Sequence, residues 1–376
     1  MDNMKEYFKN FRDRVSFIEL KKEASMDLNG YIVRGGLPLP IMMDDLIDRV
    51  KEISEEIKIV SIIKGMIHTI GIDEEFPYAD RYKEILISYD KDIAKYIVGT
   101  GMTMMKEKNI DEAMIYFRAA YALDKGNIGA IYNYSIALEE KARNFYDEKN
   151  KEMGNKFLAE AMEKMIEVQK KDSEYDLPMC YYKLGFYYKA YSKFRKAKES
   201  WEKFIQIGKH PEIFDEVREA IEGIEDDTIY EEGYSLILEN KAEEGLKKLL
   251  PLTERYKNWW NLDFMTGLGF RQLGQFDTAI DFFKRVLEIN PTQIDTLNEM
   301  GLCKANLGDM NGALEFFDKA VKMNPNNHEI ICNRGMTKLN LGDNEGAIED
   351  IEKAYSINPE DEIVKSCMEI VKKLKS

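Results

Sequence analysis

Residues 267–291, GLGFRQLGQFDTAIDFFKRVLEINP, are written again as 301–325, GLCKANLGDMNGALEFFDKAVKMNP, and once more as 335–359, GMTKLNLGDNEGAIEDIEKAYSINP. Gly267, Gly301 and Gly335 stand 34 residues apart, and so do Gly274, Gly308 and Gly342, Ala279, Ala313 and Ala347, and Pro291, Pro325 and Pro359. A fixed period of that length marks a stacked helix-turn-helix array. One pair of short helices cannot hide its apolar face alone, so neighbours must stack. The chain is thereby expected to be a binding scaffold, with its partner unnamed.

Each unit carries two amphipathic segments around a turn marked Leu273-Gly274-Gln275, Leu307-Gly308-Asp309 or Leu341-Gly342-Asp343. Glycine there suits a left-handed helix C-cap, and Asp309 and Asp343 suit the start of the next helix. Asn290-Pro291, Asn324-Pro325 and Asn358-Pro359 close the units. Proline lacks the N–H a continuing helix needs and is expected in the first turn of a new one. Gly301 and Ala313 leave no bulky side chain between the two helices, while Phe317 and Ala320 extend the apolar stripe of the second.

A small or apolar residue before Gly, then Ala, an aromatic, Ala or Val, and Pro at this spacing resemble the tetratricopeptide repeat family. The resemblance implies an all-α, right-handed solenoid of helix pairs whose first helices line a concave groove for a peptide or protein, without catalysis. The family's lining positions lie three before and one, four or five after the aligned glycine. Carried onto this sequence they give Tyr132, Ile136, Tyr182, Phe186, Tyr230 and Tyr234 in the middle units, then Phe264, Leu268, Arg271, Gln272, Asn298, Leu302, Asn306, Cys332, Met336 and Asn340. Aromatics in the middle and amides toward the C-terminus suit a segment with apolar anchors and a hydrogen-bonded backbone. The Lys, Asn and Arg grip by which the family holds a C-terminal carboxylate is largely missing, since Phe264, Asn298 and Cys332 stand at one series and Leu268, Leu302 and Met336 at the other. An internal, partly apolar segment is therefore the expected ligand.

Once that phase is known, degenerate copies emerge upstream. The first-helix positions align as Gly101, Ser135, Gly185, Gly233, Gly267, Gly301 and Gly335, giving seven units with extra residues in two places. The excess around 142–154 lengthens both helices of the second unit, and EIFDEVREAIEGIEDD after Pro211 reads as an added helix. The expected organisation is a helical region at 1–90, degenerate units at 91–211, a linking helix at 212–225, four units at 226–361 and a capping helix at 362–376. Within the first region, Met1 to about Ala24 reads as an amphipathic helix carrying Phe8, Phe11, Val15 and Ile18. Residues 35–40, GGLPLP, read as a loop. The series Leu46, Val50, Ile53, Ile57, Val60, Ile63, Ile67, Ile70 steps by threes and fours as one long helix or two. That seam suits a cap on the first repeat, because repeat arrays need their ends covered, and would also suit a homo-oligomer through the N-terminal region.

Composition narrows the function. A net charge of −15 argues against nucleic acid or an anionic membrane surface as partner, since both call for a basic face. The most apolar stretch, 57–72, is too short and too interrupted by Lys58, Lys64 and His68 for membrane insertion. Cys180, Cys303, Cys332 and Cys367 are scattered without a CxxC pair and read as reduced thiols, and MDNMKEYFKN lacks the pattern of a secretory leader, so the cytoplasm is the expected compartment. His68, His210 and His328 fall in no zinc or nucleophile motif, and no phosphate-binding glycine loop is present, so neither an enzyme, a metal nor a cofactor is expected. Ten acids between Glu212 and Glu232 follow a lysine-rich stretch from Lys183 to Lys209, which suits either two partly neutralising surfaces or a steering field for a charged partner. Three readings stand: a scaffold holding a protein segment, a peptide-responsive regulator acting through residues 1–90, and a self-assembling structural protein.

Overall fold

The computed structural model describes residues 4–28, 30–46, 58–174 and 177–375, and the chain divides into two compact units, Met1–Val217 and Arg218–Ser376, each considered by itself. The fold is all-α, built of stacked helix pairs, with four short strands near the N-terminus. In the first unit the pairs are α4 (Ile93–Lys106) with α5 (Ile110–Leu123), α6 (Ile128–Asp147) with α7 (Lys151–Lys171), and α8 (Met179–Ala190) with α9 (Phe194–Ile207). Helix α10 (Phe214–Glu222) lies in the stretch read as a linking helix, and the division between the units falls inside it. In the second unit the pairs are α11 (Glu225–Leu238) with α12 (Ala242–Arg255), α13 (Trp260–Gln272) with α14 (Phe276–Ile289), α15 (Ile294–Asn306) with α16 (Met310–Met323), and α17 (His328–Asn340) with α18 (Asn344–Ile357). Helix α19 (Glu362–Lys375) packs on α18 and α17.

Every first helix ends in the same way. Gly274, Gly308 and Gly342 have φ of 73°, 82° and 86°, and the residue after each donates its N–H five residues back, Gln275 to Phe270, Asp309 to Lys304 and Asp343 to Lys338. This is a Schellman C-cap, which needs a left-handed residue. In the degenerate units that place is held by Lys108, Lys149, Ser192 and Asn240, all at φ between 53° and 62°. A Cβ costs energy in that conformation, so Lys108→Gly is expected to stabilise the first unit by about 1 kcal/mol, and Gly274→Ala to destabilise the second by a similar amount, both read from urea unfolding. Asp309 and Asp343 then cap the second helix, accepting from the N–H of Gly312 and Gly346. The prolines sit differently from the sequence expectation. Helices α15, α17 and α19 begin three residues beyond Pro291, Pro325 and Pro359, capped by Gln293, Asn327 and Asp361, while Asn324 and Asn358 close the intervening turn through the N–H of Asn326 and Glu360. Proline thus enforces the stop, and a polar side chain makes the start.

The small residue of each first helix is a socket. A Cβ on Gly101, Gly185, Gly233, Gly267, Gly301 or Gly335 would meet Phe117, Trp201, Leu249, Phe283, Phe317 or Ile351 within 3 Å, always the residue sixteen positions on. One glycine and one large apolar side chain therefore lock six of the seven pairs, which is why both recur with the period. In the pair α6/α7 the place belongs to Ser135, whose hydroxyl donates to the Ala161 carbonyl at 2.7 Å.

The N-terminal region corrects the sequence reading. Helix α1 covers just Lys5–Lys9, and Val15–Glu19 is strand β1, paired antiparallel with β4 (Pro38–Met42) around the hairpin of β2 (Ser25–Leu28) and β3 (Tyr31–Arg34). Val15 and Ile18 satisfied a helical stripe by spacing, yet they pair with Met42 and Leu39. The stretch Pro38–Pro40 enters a strand because Pro38 and Pro40 alternate, which places their missing N–H groups on one side of it. Helix α2 (Ile59–Ile72) and helix α3 (Ala79–Tyr89) complete the region. Ile63, Met66, Ile67 and Ile70 of α2 are buried with Leu39, Ile41, Tyr82 and Ile85, and α2 packs on α5, so this part of the apolar seam is buried against the first repeat. Val50, Ile53 and Ile57 lie outside the described residues. Gly65 brings α2 against the Pro40 carbonyl, and Gly71 brings it against that of Ile115, where an added Cβ would sit 2.2 Å from each.

Candidate protein-binding surface

The first helices of the second unit stand side by side, α11 against α13, α13 against α15 and α15 against α17. Five residues past each aligned glycine comes Leu238, Gln272, Asn306 or Asn340, and all four are exposed. One past it comes Tyr234, Leu268, Leu302 or Met336, of which Tyr234 is 39% exposed and the others are half-buried. The repeat geometry thus turns two sequence columns into adjoining rows, one apolar and one tipped by amides.

The aromatic end of this face is assembled by contacts. Tyr230 packs on Trp259 at 4.7 Å and Tyr234 at 6.2 Å between ring centres, and Tyr256 meets Trp259 edge-on at 5.5 Å. Burial pushes the Tyr230 phenol up to about 12, so it stays neutral and acts as a wall. Asp226 holds Arg255 at 2.8 Å and accepts from the Tyr256 hydroxyl at 2.7 Å, and Glu232 holds Lys248 at 2.5 Å. These members of the acidic run are thereby paired inside their own unit.

Several residues expected to line the groove are already engaged. Arg271 is in contact with Glu299 at 2.5 Å, and burial keeps that carboxyl above its ordinary range even though Arg271 pulls the other way. Asn298 accepts from the Asn333 side chain at 2.9 Å across neighbouring first helices, and Phe264 lies 5.8 Å from Phe283 in the core. Gln272 donates to the Ile237 carbonyl at 3.0 Å and Asn306 to that of Leu302 at 2.8 Å, which fixes their amides while they remain exposed.

Tyr132, Tyr182 and Phe186 belong to the first unit. Tyr182 donates to Glu216 at 2.7 Å and stands edge-on to Phe186 at 5.0 Å, while Phe186 packs on Trp201. Burial, followed by the Glu216 bond, pushes the Tyr182 phenol up to about 12, and burial does the same for Tyr132. Beside them Glu139 on α6 accepts from Lys183 at 3.0 Å, Tyr187 at 2.7 Å and Arg143 at 2.5 Å. Burial alone would raise its pKa, but these partners outweigh burial and hold it below the usual carboxylate range. This cluster ties α6 to α8.

A family model described as tetratricopeptide repeat matches residues 270–331, and another with the same description matches residues 316–349. The C-terminal helix pairs are tetratricopeptide repeats. Among solved structures, the repeat chain is similar to PilW, described as a widely conserved type IV pilus biogenesis factor, at 16% identity and a TM-score of 0.40 over 62% of this chain and 98% of PilW. It is also similar to MamA at 15% identity and a TM-score of 0.36, over 47% of this chain and 95% of MamA. A third, YrrB, described as a TPR protein with an unusual peptide-binding site, is matched at 18% identity and a TM-score of 0.29 over 67% of this chain and 97% of YrrB. No curated protein matches the chain.

The tetratricopeptide phase alone would have flagged Glu139, four past Ser135, and Leu238, five past Gly233. Nothing in the phase points to Glu299 or Asn333, whose roles arise between neighbouring first helices. His328, Glu329 and Asp361 bring ligand-type atoms within 4.8 Å of one another, but Asp361 caps α19 through the Val364 N–H and His328 faces the Asn358 amide at 3.2 Å, so both have local work in the turn. His68 is buried with its Nε2 3.2 Å from Glu112, which also pairs with Arg14. A cleft of about 1150 Å³ beside this pair is lined by Lys64, Tyr96, Tyr116 and Asp45 among others. No helix among the described residues is long and apolar enough to cross a membrane.

Proposed function

We propose that this protein is an interaction scaffold whose second unit holds an extended protein segment across its first helices. The observation that carries the reading is the exposed column of Leu238, Gln272, Asn306 and Asn340, one per first helix at a constant step, beside Tyr234. An apolar side chain of the ligand would settle against Tyr234 and Leu238, and its backbone would meet the amides. Burying rigid aromatic and aliphatic surface supplies affinity, while hydrogen bonds to an extended backbone supply register. The absence of basic residues in this column disfavours a terminal carboxylate as the gripped group.

The test is selection of peptides from a random library on the full-length protein, followed by titration of the selected peptides against variants. Tyr234→Ala with Leu238→Ala, and separately Asn306→Ala with Asn340→Ala, are each expected to weaken binding about tenfold to a hundredfold with helical content unchanged. Peptides that bind both double variants as tightly as the parent would move the site off this face. The regulator reading turns on residues 1–90, whose described helix α2 packs on α5 of the first repeat.

A further inference from the structure

Two of the four cysteines meet. The Cys332 thiol on α17 donates to Cys367 on α19 with the sulfurs 3.1 Å apart, both side chains buried, and neither is in a disulfide. Cys180 and Cys303 are buried singly, and burial pushes each thiol up to about 12, which leaves little thiolate at neutral pH. The contact is different in kind. The hydrogen bond from Cys332 lowers the pKa of Cys367, and the same bond with burial raises that of Cys332, so one sulfur eased toward ionisation stands beside a protonated partner in reach. Forming the covalent bond asks the sulfurs to approach by about 1 Å, since a disulfide is about 2 Å long. Access comes by opening one element. Helix α19 packs on α17 and α18, and it exposes Ile363 and Leu374 on its other side. Lifting that single helix would uncover both thiols without unfolding the repeats, as expected for a locally opening unit.

We propose that Cys332 and Cys367 form a redox modification site, converted by a low-molecular-weight disulfide into a bond that pins α19 across the last repeat. The Cys367 thiolate attacks one sulfur of the small disulfide, and one small thiolate leaves. A mixed disulfide remains on Cys367. Cys332, giving up its proton to solvent, then attacks the Cys367 sulfur and expels the second small thiolate. Two protein thiols are oxidised, and one small disulfide is reduced to two thiols. The new bond closes a loop that spans α18 and fixes α17, whose Met336 and Asn340 belong to the face described above.

The experiment uses full-length protein, reduced, freed of reductant and incubated with oxidised glutathione at graded ratios to reduced glutathione. The expected result is a fall from four titratable thiols to two, a Cys332–Cys367 cross-linked peptide in non-reducing mass mapping, and a Tm raised by about 5 °C or more. Cys367→Ser should abolish the cross-link and the Tm rise, and its melt under reductant reports whether it folds. Cys332→Ser should instead accumulate glutathione on Cys367. Retention of four thiols throughout the titration, a cross-link through Cys180 or Cys303, or glutathione left on Cys367 of the parent protein would each overturn the proposal.

Discussion

Arg285→Ala is expected to destabilise the second unit by about 3–5 kcal/mol at pH 8 and by much less at pH 5. Asp263 on α13 is fully buried, and Arg285 on α14 is the cation in contact with it at 2.6 Å. Burial lifts the Asp263 carboxyl to about 6, because Arg285 and Lys257 only partly offset the lost hydration. Its folded pKa therefore lies above the unfolded value near 3.8, so the folded state holds the proton more tightly. Stability from this group is fully present below about 4 and is lost as pH rises through about 6. Without Arg285 the ionised carboxylate keeps only the pull of Lys257, whereas the protonated acid needs no counter-charge. Urea unfolding of the parent and Arg285→Ala at pH 5, 6, 7 and 8 should show a difference that grows with pH. A difference flat across that range would mean that Arg285 contributes by packing alone.

Gly185→Ala is expected to cost about 3 kcal/mol, the largest loss in a graded series. The new Cβ would stand 2.1 Å from Nε1 of Trp201, a fully buried ring held by its hydrogen bond to the Tyr182 carbonyl at 3.2 Å. The ring has nowhere to swing without breaking that bond. Gly301→Ala meets the edge of Phe317 at 2.6 Å and should cost less, and Gly233→Ala meets the flexible end of Leu249 at 2.4 Å and should cost least. Thermal melts of the three variants give the order directly. Equal losses would show that helix propensity or backbone entropy, not the socket, sets the effect.

These sockets explain why so much of the fold is readable in the sequence. A glycine and a large apolar residue sixteen places on recur in six of the seven pairs because the helices cross so closely there, so the period survives where other positions drift. The turns drift more freely, as Lys108, Ser192 and Asn240 adopt the left-handed conformation that glycine adopts at Gly274. The N-terminal strands were hidden because Val15 and Ile18 fit a three-residue step, and because proline at Pro38 and Pro40 suggests a loop until the partner strand is known. At the candidate surface the repeat phase picks out residues pointing from first helices, but whether such a residue is spent depends on a neighbour 28 or 35 positions away, as for Arg271 with Glu299 and Asn298 with Asn333. Local pattern cannot supply that.

Helix α2 is held by glycine on two sides, at Gly65 by the backbone of β4 and at Gly71 by the backbone of α5. Main chain against main chain has no rotamer to absorb a displacement, so a push on the hairpins passes undamped into the first repeat. Strand β4 and helix α2 are in that sense a clamped foundation: mechanically continuous with α5, and a place where load applied to the strands enters the first repeat.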